Sequence, residues 1–277
     1  MKRLIVVCLL VAVSGCVSDS TGEDPKTAPK TQKLVITGSS TVAPLAAEIA
    51  QRYEQDHPNV RIDVQTGGSS RGMADARKGL ADIGMVSRAH KESERDLTPH
   101  LIAHDGLCLI VHATNPVSEL TREQIIHIYQ GQIENWKEVG GDDAEIVVVH
   151  KAEGRSTLEL FLKHFQLDNS EIQPDIVIGD NQQGIKSVLG NPHAIGYVSI
   201  GAAEYEVEQG RDLKLLPLGG IEASTAHIED GSFPLSRELN LVTLGEPQGL
   251  AAEFIRFAQS EAVHDLIEGL YFVPIQK

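Results

Sequence analysis

Short apolar runs alternate along the chain with stretches whose apolar residues recur at helical spacing. Runs rich in Val, Ile and Leu lie at 34–36, 62–64, 107–111, 146–149, 176–178, 195–200, 213–216 and 239–242. After the first run, Val42, Leu45 and Ile49 follow one another at three or four residues, as on one face of a helix. Strands that alternate with helices predict an α/β fold with a mostly parallel sheet.

Two further segments sharpen this prediction. Residues 81–87 are short and mostly apolar, which favours another strand and makes the first part of the chain βαβαβ. Thr121 and Gln124 have the spacing of a capping box, so a helix is predicted to begin just after Thr121.

Three of the predicted strand-to-helix turns are rich in Gly, Ser and Thr, at 37–41, 67–72 and 153–157. The start of a helix offers unpaired N–H groups and the positive end of the helix dipole, which together favour an anion. Taken singly, each turn could be no more than a helix cap. Because two of them carry Arg71 and Arg155, and Arg88 follows nearby, we predict one shared site for a tetrahedral oxyanion.

One motif favours a different class of protein. Residues 68–72 match GxSxG between a predicted strand and a predicted helix, the context of a serine hydrolase nucleophile. Ser70 would then be the nucleophile, with His227 or His264 as its base. The hydrolase interpretation leaves the other two polar turns without a role, so it stays the less favoured alternative.

Composition narrows the classes of ligand. The formal net charge is −15 at pH 7 and no stretch is rich in Lys and Arg, which argues against nucleic acid. The eleven histidines show no HExxH or comparable ligand spacing. We therefore expect neither a metal nor a cofactor.

The N-terminus has the features of a secretory signal. Lys2 and Arg3 precede an apolar run at 4–13, and Ser14 and Gly15 lead into Cys16. The stretch resembles the bacterial lipoprotein box, which predicts a signal peptide at 1–15 and a lipid anchor on Cys16. Residues 16–33 are polar and low in apolar content, as in a tether.

Several motifs occur in a recognisable order. They are Thr-Gly-Ser-Ser-Thr-Val at 37–42, Gly-Ser-Ser at 68–70, Ala-Asp-Ile-Gly-Met-Val-Ser-Arg at 81–88, Ile-Tyr-Gln-Gly-Gln-Ile-Glu-Asn-Trp at 128–136, Ile-Gly-Tyr-Val at 195–198 and Phe-Pro-Leu-Ser-Arg at 233–237. In these motifs the chain resembles the phosphate-binding lipoproteins of bacterial phosphate ABC transporters. The resemblance implies a two-lobed periplasmic-binding-protein-like fold of type II, with lobes at 34–112 plus 239–277 and at 113–238.

The resemblance also implies site residues. Together with the polar turns it gives ten candidate ligand residues: Ser40, Thr41, Val42, Ser69, Ser70, Arg88, Lys151, Arg155, Ser156 and Thr157. Some relatives place a carboxylate where this chain has Arg88, and an arginine where it has Lys151. A carboxylate can accept the proton of hydrogen phosphate, whereas an arginine attracts phosphate and sulfate alike.

For function, the resemblance implies an exported monomer that is not an enzyme. It would be held to the membrane by its lipid alone, bind inorganic phosphate or a similar oxyanion between its lobes, and deliver it to an ABC permease. A module of the same fold with another oxyanion or a sensory role is the alternative.

Overall fold

A computed structural model describes residues 31–275. The strands in this part of the chain are β1 (Gln32–Gly38), β2 (Val60–Thr66), β3 (Ile83–Val86), β4 (Leu97–His112), β5 (Val147–Lys151), β6 (Ile176–Ile178), β7 (Ala194–Ser199), β8 (Leu213–Leu216), β9 (Ser236–Leu244) and β10 (Val273–Pro274). The α-helices are α1 (Ala43–Asp56), α2 (Ser69–Arg77), α3 (Arg122–Tyr129), α4 (Ser156–Phe165), α5 (Asn181–Gly190), α6 (Ile200–Glu208), α7 (Thr225–Glu229), α8 (Gly249–Ala258) and α9 (His264–Gly269). The predicted signal peptide, Cys16 and most of the tether lie outside the described residues.

The helices form where the sequence pattern predicts them. Helix α1 buries Leu45, Ile49 and Tyr53 on one face. The capping box before α3 is confirmed, because Thr121 Oγ1 accepts the Gln124 N–H and Gln124 Oε1 accepts the Thr121 N–H, at 3.2 and 2.8 Å. Strand β1 begins at Gln32, two residues inside the predicted tether, because its pairing with β2 uses backbone groups and needs no apolar side chain there.

One path of paired strands runs through the molecule, in the order β2-β1-β3-β9-β4-β7-β5-β6. Strand β1 is parallel to β2 and β3, and β5 is parallel to β6 and β7. Strands β4 and β9 run antiparallel to their neighbours. The sheet is therefore parallel in its two outer parts and antiparallel where β4 and β9 join them.

Strand β4 takes part in both halves of this path. Its residues 97–106 pair with β9, and its residues 107–112 pair with β7 and β8. The sequence predicts only 107–111 as a strand, because Pro99, His104 and Asp105 interrupt the apolar pattern before it. Pairing on both sides makes the longer strand.

Buried apolar side chains form two large clusters. The first takes residues from 34–103 and 239–272, and the second takes residues from 107–235 together with Val273. The chain thus passes from the first cluster to the second between Ala103 and Leu107, and returns between Leu235 and Leu239. The first passage lies ahead of the lobe boundary expected after residue 112, and Leu107 to Val111 belong to the second cluster. The exact lobe boundaries stay a prediction.

Candidate functional site

The three polar turns meet at one small cavity. They follow the carboxyl ends of β1, β2 and β5, and Ser87 joins them from the end of β3. The cavity has a volume of about 10 Å³ and is lined by Ser39, Ser40, Thr41, Gly68, Ser69, Ser87, Arg155, Ser156 and Thr157. We call it the oxyanion cavity.

The first turn is organised by Ser39. Its Oγ accepts the N–H groups of Thr41 at 3.2 Å and of Val42 at 3.4 Å, and it bonds Ser87 Oγ at 2.9 Å. Val42, a candidate for its N–H group, therefore already has a long hydrogen bond within the turn, and its side chain is buried in the first cluster. The Thr41 side chain lines the cavity, as does partly exposed Ser40.

The second turn lies directly against the third. Gly68 has a φ of 93°, and a Cβ on it would lie 2.7 Å from the Gly154 carbonyl oxygen, so only glycine fits. Ser70 N–H donates to the same oxygen at 3.2 Å. Ser69 Oγ is buried and accepts the Ser87 N–H at 3.3 Å, which leaves its own proton free to donate.

The third turn supplies donors without protein acceptors. Arg155 Nε and Ser156 Oγ are buried and have no hydrogen-bond partner among the described residues. Helix α4 starts at Ser156, so the N–H groups of its first turn point out of the helix end beside these side chains. Such a set of donors suits an anion.

Arg237 was not among the candidate ligand residues, yet it connects two of the turns. Its side chain is 0% exposed, and its Nη1 donates to Thr157 Oγ1 at 2.9 Å while Nη2 reaches Thr41 Oγ1 at 3.4 Å. Nε and Nη2 also bond Asp105 Oδ2 at 2.9 and 2.7 Å. In the sequence, this pair could have been found from two charged residues, Asp105 and Arg237, that each lie in a strand segment that is otherwise largely apolar.

Lys151 stands behind the cavity and does not line it. Its Nζ donates to Asn181 Oδ1 at 3.1 Å, and Asn181 Nδ2 donates to Thr41 Oγ1 at 3.2 Å. Burial, with the nearby charges of Arg237 and Arg155, lowers the pKa of Lys151 to about 7, against the opposing charge of Asp180. Asn181, which the sequence analysis did not select, thus links this cation to the first turn.

Arg88 does not line the oxyanion cavity. Its guanidinium bonds both carboxylate oxygens of Glu94, at 2.6 and 2.9 Å, and its Nε lies 3.1 Å from Glu159 Oε2. Lys91 also pairs with Glu159. Arg88 is therefore part of an ion-pair cluster beside the cavity, which we call the lip cluster: Arg88, Lys91, Glu94 and Glu159.

A larger cleft of about 570 Å³ adjoins the oxyanion cavity through Ser40 and Thr41. Side chains such as Pro44, Val64 and Phe272 make its lining mostly apolar. Such a lining provides few donors for a charged ligand, so the small polar cavity is the better candidate for an anion.

Ser70 does not have the surroundings of a hydrolase nucleophile. It is exposed in the first turn of α2, and the positive φ values of non-glycine residues in the described chain occur at Gln166 and Tyr271. His227 Nδ1 bonds Ser224 Oγ and the Glu222 carbonyl oxygen in and beside α7. Ser70 thus lacks the strained turn that such a nucleophile requires, and within residues 31–275 no hydrogen bond joins its hydroxyl to His227 or His264.

The chain between residues 31 and 275 has no group of three or more His, Cys, Asp and Glu side chains placed to hold a metal ion. Nor does any helix within it have the length and apolar content needed to cross a bilayer.

Comparison with known proteins gives the family. A family model described as a PBP superfamily domain matches residues 24–262. The chain belongs to the PBP superfamily. The predicted α/β binding-protein fold is thereby confirmed.

Relatives within this superfamily are named for phosphate. The phosphate-binding protein PstS of Bacillus subtilis (strain 168) is 27% identical over 284 residues, covering 99% of this chain and 93% of the relative. A putative phosphate ABC transporter substrate-binding protein with bound phosphate from Clostridium perfringens superposes with a TM-score of 0.81 at 32% identity, covering 88% of this chain and 100% of that one. An ABC-type phosphate transport receptor from Vibrio cholerae gives 0.69 at 32% identity with the same coverage. The resemblance inferred from the motifs is confirmed.

Proposed function

We propose that the protein captures inorganic phosphate in the oxyanion cavity and delivers it to an ABC importer. The observation that carries this proposal is the convergence of three helix starts with Arg155 Nε and Ser156 Oγ, two buried donors that have no partner in the described residues. A buried anion is costly unless its oxygens are hydrogen-bonded, and these groups supply that bonding. The phosphate-binding relatives support the choice of ligand.

The net charge of −15 does not oppose this function. Surface charges farther than about 10 Å from the ligand are largely screened at ordinary ionic strength. Donors and cations at contact distance therefore decide the affinity.

Calorimetry on the purified full-length protein tests the proposal. Phosphate should bind at micromolar concentration or tighter, and Arg155→Ala should weaken it by more than about tenfold, since a hydrogen bond to a charged group is worth about 1.5–3 kcal/mol. Arg61→Ala is the matched control, because Arg61 is exposed on β2 and bonds backbone carbonyls near it. Equal affinity in wild type and Arg155→Ala would remove Arg155 from the site, and no binding by the wild type would overturn the function.

In this proposal the protein acts at the cell envelope. Residues 1–15 direct export, Cys16 carries the lipid, and the polar segment that follows it spaces the binding domain from the membrane. Labelling with radioactive palmitate checks the anchor: the wild type should take up label and a Cys16→Ser variant should not.

The protein does no covalent chemistry on its ligand and works as a monomer in this proposal. A fluorophosphonate probe reports on the hydrolase alternative. The probe should leave Ser70 unlabelled, whereas labelling that is lost in Ser70→Ala would favour the hydrolase.

A further inference from the structure

We propose that the oxyanion cavity recognises its ligand by a double negative charge and tetrahedral shape and does not require an O–H group on the ligand, so that sulfate is accepted alongside phosphate. This inference rests on the proposed function, because it concerns the chemical class of ligand at the same site. It predicts a receptor for doubly charged tetrahedral oxyanions.

The first observation is that none of the nine residues lining the cavity carries a carboxylate. A carboxylate can only accept, so it favours a ligand with an O–H and repels one without. Its absence from the lining removes the group that most strongly separates hydrogen phosphate from sulfate.

The second observation is that the acidic side chains nearby are already engaged. Asp105 accepts from Arg237 Nε and Nη2, from Ser199 Oγ at 2.8 Å and from the Gly201 N–H at 3.2 Å. Glu94 and Glu159 are paired with the cations of the lip cluster. None of these carboxylates lines the cavity, and neither does Asp180 near Lys151, whose Oδ1 accepts the Gln183 N–H at 2.8 Å.

The third observation concerns the hydroxyl groups that do line the cavity. Thr41 Oγ1 accepts from Asn181 and Arg237, and Thr157 Oγ1 accepts from Arg237, so their own protons remain for the ligand. Ser156 Oγ has no partner in the described residues and can turn to donate or to accept. A hydroxyl of this kind can bond the O–H of hydrogen phosphate or an oxygen of sulfate, and it does not choose between them.

The charges of the site match a dianion. Arg237 is neutralised by Asp105 in a fully buried pair. Arg155 lines the cavity and Lys151 stands behind it, and neither forms an ion pair within residues 31–275, so two positive charges lie near a ligand with two negative ones when Lys151 is protonated. Sulfate and hydrogen phosphate both carry that charge.

Competition calorimetry tests the inference on the purified full-length protein with phosphate and sulfate at about pH 8. A site built around an acceptor for a ligand O–H rejects an analogue that lacks it by roughly 10⁴-fold. We expect sulfate to bind within about thirtyfold of phosphate, a difference of about 2 kcal/mol. Sulfate weaker than that limit, with phosphate still bound tightly, would overturn the inference and leave the proposed function intact. Failure to bind phosphate would overturn the proposed function itself.

A second measurement uses Ser156→Ala, because Ser156 is the one buried hydroxyl of the described lining that lacks a partner and could serve as a hidden acceptor. If its hydroxyl only donates, its removal should weaken phosphate and sulfate by the same factor. A loss confined to phosphate would show that Ser156 accepts the ligand proton and would overturn the inference. Repeating both titrations at about pH 6 should shift the ratio against phosphate, which gains a proton there while sulfate stays a dianion; an unchanged ratio would also count against the inference.

Discussion

Arg237 is fully buried and pairs with Asp105, which balances its charge and holds it in position. Its Nε and Nη2 bond one carboxylate oxygen, Nη2 also reaches Thr41, and Nη1 donates to Thr157 on another turn. A buried ion pair of this kind adds little net stability, but loss of one partner leaves an uncompensated charge. Its role is to fix the geometry of the cavity.

Removing this cation should damage both folding and binding. Arg237→Gln is expected to cost about 3 kcal/mol of unfolding free energy, because Asp105 stays buried without its partner. Urea unfolding measures this loss. The double variant Asp105→Asn with Arg237→Gln should recover part of the stability yet not the phosphate affinity; recovery of both would show that Arg237 has no part in binding.

Lys151 should make the affinity for the ligand depend on pH. Its pKa of about 7 means that the side chain is largely neutral above that pH in the ligand-free protein. A dianion nearby raises this pKa again, so binding at about pH 8 takes up protons and affinity falls as the pH rises above 7. Calorimetry in two buffers of different ionisation enthalpy measures the uptake.

The matched variants for this prediction are Lys151→Met and Lys186→Met. Lys186 is exposed on α5, the same helix that carries Asn181. Lys186→Met should take up protons as the wild type does, and Lys151→Met should take up fewer. Identical uptake by all three proteins would assign the proton to another group.

At the scale of the element, helix α4 serves two tasks at once. Ser156 and Thr157 in its first turn line the oxyanion cavity, and Glu159 in the same turn pairs with Arg88 and Lys91. Those two cations follow β3, whose Ile83 and Met85 belong to the first apolar cluster, whereas Phe161 of α4 belongs to the second. The lip cluster therefore connects the segments that follow β3 with α4 beside the oxyanion cavity.

Loss of an ion pair in the lip cluster should speed ligand release without changing a residue that lines the oxyanion cavity except through helix α4. Because the Glu159 carboxylate is partly exposed, its pairing with Lys91 and Arg88 is worth about 1 kcal/mol, so Glu159→Gln should raise the dissociation rate of phosphate about three- to fivefold. Stopped-flow displacement provides the rate, with Glu208→Gln, exposed on α6, as the control. An unchanged rate would make the lip cluster irrelevant to release.

Glu94 should make the lip cluster sensitive to acid. Its hydrogen bonds from Arg88, together with the Lys91 N–H, lower the pKa of Glu94 to about 2. An acid whose pKa is lowered by folding stabilises the protein above its ordinary value near 4.5, and this contribution is lost as the pH falls toward 2. Glu94→Gln should therefore cost roughly 2 kcal/mol at neutral pH and little at the acid end.

Urea unfolding of Glu94→Gln and of the exposed neighbour control Glu92→Gln at about pH 7 and pH 3 checks the sign. The gap between wild type and Glu94→Gln should narrow at the lower pH. A gap that stays constant would mean that the charge of Glu94 does not stabilise the fold.

At the scale of the whole molecule, the sequence patterns predicted those features that depend on residues close together along the chain. The bounds of β6 and the cap of α3 were foreseen because apolar periodicity and capping are local properties. Thr41, Ser69 and Ser156 line one cavity, as expected for polar turns at parallel strand ends that meet at one edge, and their binding of a ligand stays a prediction.

What the sequence could not provide are partners far apart along the chain. Arg237 and Asp105 are 132 positions apart, and Asn181 reaches Thr41 across 140. Arg88 was selected as a ligand residue by its place in a motif, but it pairs with Glu94, six positions later, and with the distant Glu159 on α4. The first half of β4 was missed for the same reason, since its pairing with β9 outweighs its irregular pattern.

Strands β4 and β9 also determine which atoms would be displaced most if the two apolar clusters moved against each other. Arg237 and Asp105 lie opposite each other on these two strands, where the chain passes between the apolar clusters. If the clusters rotate against each other about these strands, atoms near the rotation axis are displaced least and atoms far from it are displaced most. A fluorescent reporter beside Lys91 would then respond strongly to the ligand, while one beside Asp105 would hardly change, and the pair of readings would turn the protein into a calibrated anion sensor.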